Sequence, residues 1–270
     1  MNRARIAVIL LGIAALAVAG LVARPASGHD ARAKAGHQQR SAALVPGTTA
    51  TTCRKTFSSG SGASRFAWCY SNDGNIIHLE SPAGQEHIFQ GDIIEGYAIC
   101  SSTHGVEGYD AAEFASGFKP PTYPATNTVQ VDTTNNNWRL KMVFSQDTGS
   151  KIARVQMTLT NRTAFTITGV RLSRFVDFDI DNTAPNDRWD KTNSSVVAIE
   201  SNGVTATAVT PVSRQIVIEA ESDLVNDNGC DATTPLTPPT SGDDAARLTY
   251  SFGSVAGHQS KTVVVRYQRM

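Results

Sequence analysis

The chain has 270 residues, 40% hydrophobic and 18% charged, which suffices for a large core and excludes wholesale disorder. The formal charge is zero (24 bases, 24 acids), but residues 1–40 hold six of the bases and one of the acids, leaving 18 bases and 23 acids beyond them. A mildly acidic body argues against nucleic acid as a partner.

The chain opens as an export signal. Arg3 and Arg5 make a short positive head, and Ile6 to Val22 follows without a charge. Small residues at Ala26-Ser27-Gly28 and Ala31-Arg32-Ala33 offer cleavage sites. An uncleaved membrane anchor is the alternative, because about 17–20 apolar residues just span a bilayer. Either way residues 1–28 predict that the rest leaves the cytoplasm, and membrane contact is expected only through this segment. Residues 29–52 show no apolar periodicity and are expected to form a disordered tether.

Four cysteines, Cys53, Cys69, Cys100 and Cys230, all lie beyond the signal. In an oxidising compartment an even number predicts two disulfides. Three pairings are open. Cys53–Cys69 with Cys100–Cys230 is preferred, since it joins one local loop to one long closure. No CxxC pair supports a zinc site.

From residue 53 to 270 the dominant signal has period two, which predicts one β-domain. Weaker strand patterns cover 66–70, 75–80, 93–99 and 127–132. Then Trp138, Leu140, Met142 and Phe144 alternate with Arg139, Lys141 and Val143. Ala153, Val155, Met157 and Leu159 repeat the pattern, as do Val170, Leu172, Val176, Phe178 and Ile180, with Arg174 on the same face. Residues 195–209, split by Asn202-Gly203, read as a hairpin. Further strands are expected at 164–168, 214–220 and 247–252, and Val263, Val265 and Tyr267 close the chain. The only helical expectation past the signal is one turn at Asp110 to Phe114. About a dozen strands with polar alternate faces imply an all-β, antiparallel, two-sheet β-sandwich.

The run Asp177-Phe178-Asp179-Ile180-Asp181-Asn182 is the most chemically suggestive motif. On a strand the three aspartates share a face at about 7 Å spacing, twice the rise per residue. Like charges so placed need solvent or a bridging cation, and Ca²⁺ accepts six to eight oxygens. The expected metal ligands are therefore Asp177, Asp179, Asp181, Asn182, Asp187 and Asp190, with Ca²⁺ the expected cofactor. Asn182 and Arg188 stand where an EF-hand loop needs Gly and Glu. The alternative is a solvated strand end, with Arg174, Arg188 and Lys191 as ion partners. Trp189, Tyr97 and Tyr109 are candidate ligand-stacking residues.

Catalytic signatures are sparse. Carboxylates near Asp177–Asp190 are candidates for a hydrolase or mutarotase, and Glu80, Glu86, Asp92 and Glu95 form a second acidic stretch. His78 and His87 flank an expected hairpin at Ser81-Pro82-Ala83-Gly84. There is no HExxH, GxSxG or phosphate-binding glycine loop.

The stretch Val155 to Asp190 (VQMTLTNRTAFTITGVRLSRFVDFDIDNTAPNDRWD) resembles β-sandwich modules of extracellular carbohydrate-active proteins. It is most similar to the supersandwich of galactose-mutarotase-like domains, including the accessory domain of some bacterial glucoamylases. The resemblance implies a supersandwich-like fold and a carbohydrate context, and it assigns no catalytic residue. The expectation is an exported, calcium-stabilised module that binds a glycan or cell-surface component. A carbohydrate-active enzyme and a purely structural surface protein are the alternatives.

Overall fold

A computed structural model describes residues 52–88, 95–112, 115–147, 149–182, 186–224, 229–232 and 234–270. The expected export signal, nearly all of the tether, and Asp92 lie outside the described residues. The side chain of Asn182 does too.

The regular structure of the described residues is almost entirely antiparallel β-strand, in three sheets. The first is a three-stranded meander of β1 (Lys55–Ser59), β2 (Phe66–Tyr70) and β3 (Ile76–Glu80). The second has six strands: β4 (Glu95–Ser101), β5 (Gly105–Asp110), β6 (Ala115–Ser116), β11 (Ile167–Asp177), β15 (Arg214–Ala220) and β17 (Asp244–Val255). The third has nine: β7 (Thr122–Ala125), β8 (Thr128–Asp132), β9 (Trp138–Gln146), β10 (Ile152–Asn161), β12 (Arg188–Lys191), β13 (Ser195–Ile199), β14 (Gly203–Ala208), β16 (Thr240–Ser241) and β18 (Ser260–Arg269). The six- and nine-stranded sheets stack as a β-sandwich, as the period-two pattern predicts.

The alternation sets the seam. On β9, Trp138, Leu140, Met142 and Phe144 are fully buried, while Lys141 is exposed. On β10, Val155, Met157 and Leu159 meet Val265, Val263 and Lys261 of β18 in register. Leu172 and Val176 of β11 enter the same core from the opposite sheet. The small sheet closes one end, with Tyr70 stacked on Phe144 at 3.9 Å between ring centroids. Ser195–Ala208 forms the expected hairpin, with Ser195 opposite Thr207. The helical turn expected at Asp110–Phe114 is replaced at its start by strand, since Asp110 pairs with Tyr97 in β5.

Arg174 faces the core, not the acidic run. Its Nε and Nη2 donate to the two oxygens of Glu95 at 2.6 and 2.7 Å, and the Tyr267 hydroxyl donates to Glu95 at 2.5 Å. A buried ion pair tolerates the loss of solvent only when its lone pairs and protons are used in this way. Both expected disulfides are present, Cys53–Cys69 and Cys100–Cys230. The second pins Gly229-Cys230 over the outer face of the six-stranded sheet, where Arg247 donates to the Gly229 carbonyl and to Glu219.

Candidate metal centre

β11 ends at Asp177, but its alternation continues past the last ladder bond. Phe178 and Ile180 stay in the core, with Phe178 stacked on Trp189 at 5.9 Å. Asp177 and Asp179 therefore turn to the other side together, at 3% and 2% exposure. A backbone bond from Asp179 N–H to the His87 carbonyl at 3.1 Å holds this extension in place.

The third member comes from far along the chain. Asp243 lies in the turn from β16 into β17, and one carboxylate oxygen each from Asp177, Asp179 and Asp243 falls within 4.8 Å of the others. Gly242 positions that turn: its N–H donates to the Asp187 carbonyl at 3.0 Å, and its carbonyl accepts from Trp189 Nε1 at 3.3 Å. Asp187 is fully buried, and its Oδ2 accepts from Ile180 N–H at 3.0 Å. Asp177 Oδ1 and Asp187 Oδ1 are buried with no hydrogen-bond partner among the described residues.

Burial pushes the Asp177 carboxyl well above its ordinary range, and the charges of Asp179, Glu221, Asp243 and Asp187 push it further. Burial likewise raises Asp187 to about 8, against the Ile180 hydrogen bond and with the charges of Glu200, Asp181 and Asp243 adding to the rise. Two ligands on opposite sides of a Ca²⁺ ion at about 2.4 Å stand about 4.8 Å apart. Three carboxylates at this separation can hold a metal ion.

The structure keeps part of the sequence-expected ligand set together. Asp177 and Asp179 are in the cluster, and Asp187 adds its charge beside it. Asp181 leaves the face because its backbone takes φ 60° in a 3₁₀ turn at Ile180–Asn182. Its carboxylate instead caps the hairpin turn, accepting from Ser201 Oγ at 2.5 Å and Asn202 N–H at 2.8 Å. Asp190 is exposed on β12 and accepts from the next residue's N–H at 2.7 Å. Lys191 reaches the Ile216 carbonyl at 2.7 Å and not the acids. Sequence reasoning missed Asp243. The acidic pair Asp243-Asp244 after the Ser241-Gly242 turn was a visible signal, but nothing local tied it to Asp177.

The three proposed stacking residues are corrected. Trp189 is fully buried beneath Gly242 and against Phe178. Tyr97 is fully buried, and its hydroxyl donates to the Asp73 carbonyl at 2.7 Å. Tyr109 is 2% exposed and stacks on Phe175 at 5.1 Å. In each case the ring is packed inside the protein and leaves no face for a sugar.

No protein-family model matches the chain, and no curated protein sequence matches it. Solved structures are similar to the chain at the level of fold. A bacterial glucoamylase complexed with acarbose superimposes with a TM-score of 0.56 at 8% identity, over 84% of this chain and 34% of that one. The present chain thus spans about a third of that protein. Looser likenesses are a galactose mutarotase related enzyme from Lactobacillus acidophilus (TM-score 0.38, 6% identity, 80% of this chain and 97% of that one) and a family GH92 alpha-mannosidase from Bacteroides thetaiotaomicron (TM-score 0.35, 10% identity, 75% and 27%). At such identities the likeness is one of fold.

Proposed function

We propose that the protein is an exported β-sandwich module that acts on the outside of the cell by binding a glycan or cell-surface component, and that Ca²⁺ stabilises it. The fold shared with a glucoamylase supports the carbohydrate context. The export signal of residues 1–28 and the two disulfides support the compartment.

Two observations carry the cation: Asp177 Oδ1 is buried without a hydrogen-bond partner among the described residues, and a carboxylate oxygen of Asp177 lies within 4.8 Å of one each from Asp179 and Asp243. Burying a polar atom with no partner costs about 1–3 kcal/mol, and more for a charged one. An oxygen-seeking cation removes that cost and joins the end of β11 to the β16–β17 turn. The same geometry disfavours catalysis at these acids. A retaining pair needs about 5–5.5 Å and an inverting pair about 6.5–9.5 Å, with a sugar between. Here Asp177 and Asp179 are buried at 3% and 2% exposure, which leaves a sugar no access to them.

Thermal melting with 1 mM Ca²⁺ and with EDTA tests the cation. An ion at one hundred times its Kd adds about 2.7 kcal/mol, which is roughly 5–10 °C in Tm for a domain of this size. Asp179→Asn is expected to abolish the calcium-dependent part. Equal midpoints in both buffers would overturn the calcium assignment. Affinity electrophoresis through a panel of polysaccharides tests the binding role, and sequencing the N-terminus of secreted material tests export.

A further inference from the structure

The middle of the nine-stranded sheet has an unusual charge pattern. Its adjacent strands β14, β18, β10 and β9 present Arg139, Lys141, Arg154 and Arg266 on their outer side and carry not one Asp or Glu, while Lys261 and Arg269 share the inner side with Val263 and Tyr267. The body beyond residue 40 has an excess of acids, 23 against 18 bases. The positive charge is therefore segregated onto one part of the molecule.

Arg154 and Arg266 stand directly opposite each other in the β10–β18 ladder. Directly paired residues have Cα atoms about 4.5–5.5 Å apart, and like charges so placed repel. Both side chains alternate with buried residues, so they point away from the core. Neither guanidinium has a hydrogen bond or ion pair among the described residues, and Arg266 Nε is buried without a partner. Thr207 continues the row on β14. Exposed Gln156 and Gln268 flank it, and Lys141 stands farther along β9. By contrast, Arg139 on the same face is neutralised by both oxygens of Asp132, at 2.8 and 3.0 Å. All the aromatics of these four strands, Trp138, Phe144 and Tyr267, are buried inward.

We infer that this outer face binds an acidic polysaccharide, with a carboxylate or sulfate group seated between Arg154 and Arg266. The inference deepens the glycan-binding reading and rests on it. A neutral sugar chain binds a flat face through aromatic stacking, and no aromatic is available here. An anion answers the pairing: it screens the Arg–Arg repulsion and gives the two guanidinium groups the acceptor they lack, because guanidinium forks match planar oxyanions. The threonine and glutamine side chains supply uncharged donors and acceptors for hydroxyl groups between the acidic ones. The acid-rich remainder of the body disfavours duplex nucleic acid, whose phosphates would meet it.

The test is affinity electrophoresis of the mature protein through gels holding polygalacturonate, dextran sulfate, or neutral dextran and amylose. Retardation is expected in the acidic gels, falling as salt rises. Arg154→Gln with Arg266→Gln is expected to weaken it at least tenfold, with Tm unchanged or higher. Retardation by neutral glycans alone would overturn the inference and leave the glycan reading standing. Retardation by none would overturn both. Unchanged binding by the double variant would remove this face as the site. Tighter binding to phosphatidylglycerol vesicles or duplex DNA than to either acidic polysaccharide would overturn the assignment of ligand class.

Discussion

Asp110 sits 4% exposed at the end of β5, opposite Tyr97 of β4. Its Oδ1 accepts from Asn75 Nδ2 at 2.8 Å and Ala112 N–H at 3.2 Å, while Oδ2 lies 3.5 Å from the Tyr97 hydroxyl. Burial lifts this carboxyl to about 8, against the Asn75 hydrogen bond. The native state therefore holds a proton that the unfolded chain releases near pH 4. The sign follows: the contribution of Asp110 to stability is complete below about pH 4 and is lost as pH rises toward about 8. Asparagine copies the protonated acid, since its oxygen keeps both donors and its nitrogen faces the tyrosine oxygen. Asp110→Asn is expected to raise Tm at pH 8 and leave it nearly unchanged at pH 4. It should also flatten the slope between them by up to about 1.4 kcal/mol per pH unit. Urea midpoints at the two pH values would check this, and an Asn variant less stable at pH 8 would refute it. Arg174 shows the opposite case. Arg174→Leu strands Glu95 in the core without its cation, a change expected to cost about 3–5 kcal/mol in urea unfolding.

The hairpin from β3 to Ile88 carries a pH response of its own. His78 Nδ1 pairs with Glu86, and its Nε2 lies 3.6 Å from Glu80, which also meets Arg65 at 2.9 Å. The Glu86 hydrogen bond raises His78 above 6.5, against burial and the Arg65 charge. Burial pushes Glu86 up, but His78 and the N–H groups of Leu79 and Ile88 outweigh it, and the acid ends below 4.5. The histidine's contribution is complete below 6.5 and fades as pH climbs through its higher folded value. The glutamate's is complete above 4.5 and fades as pH drops through its lower folded value. The pair is thus at full strength between about pH 4.5 and 6.5. His78→Gln is expected to cost up to about 1 kcal/mol at pH 5.5 and much less at pH 8.5, read from urea midpoints. A cost that does not change with pH would sink the assignment. Elements such as this one were legible in the sequence wherever one face was apolar. The β9, β10 and β18 patterns predict strands because every second residue must hide. The acidic run was legible as far as Ile180, where alternation still ruled. It failed at Asp181, because a left-handed residue ends the strand geometry and redirects the side chain to Asn202. Asp243 was out of reach because strand pairing between β11 and β17 brings it close, and no local pattern encodes that pairing.

At the scale of the whole molecule, the two disulfides constrain very different lengths of chain. Cys53–Cys69 spans 16 residues within the small sheet, whereas Cys100–Cys230 spans 130 and ties β4 to the segment over the six-stranded sheet. By loop-closure entropy the first contributes about 3 kcal/mol and the second about 5. The ladder ranks the same way. β4, β11 and β17 are central strands of a sheet whose outer face, with Phe175, Tyr109 and Ala245, is buried together with Leu224 and Cys230. Opening the long loop removes chain constraint and also releases that second apolar cluster, while opening the short loop leaves Phe57 stacked on Trp68 at 4.4 Å. The Cys100→Ser, Cys230→Ser variant is therefore expected to lose more stability than Cys53→Ser, Cys69→Ser, by about 2 kcal/mol from entropy alone, in urea unfolding followed by tryptophan fluorescence. An equal loss in both variants would show that the segment around Cys230 stays docked without its covalent link, and that the second cluster alone holds it.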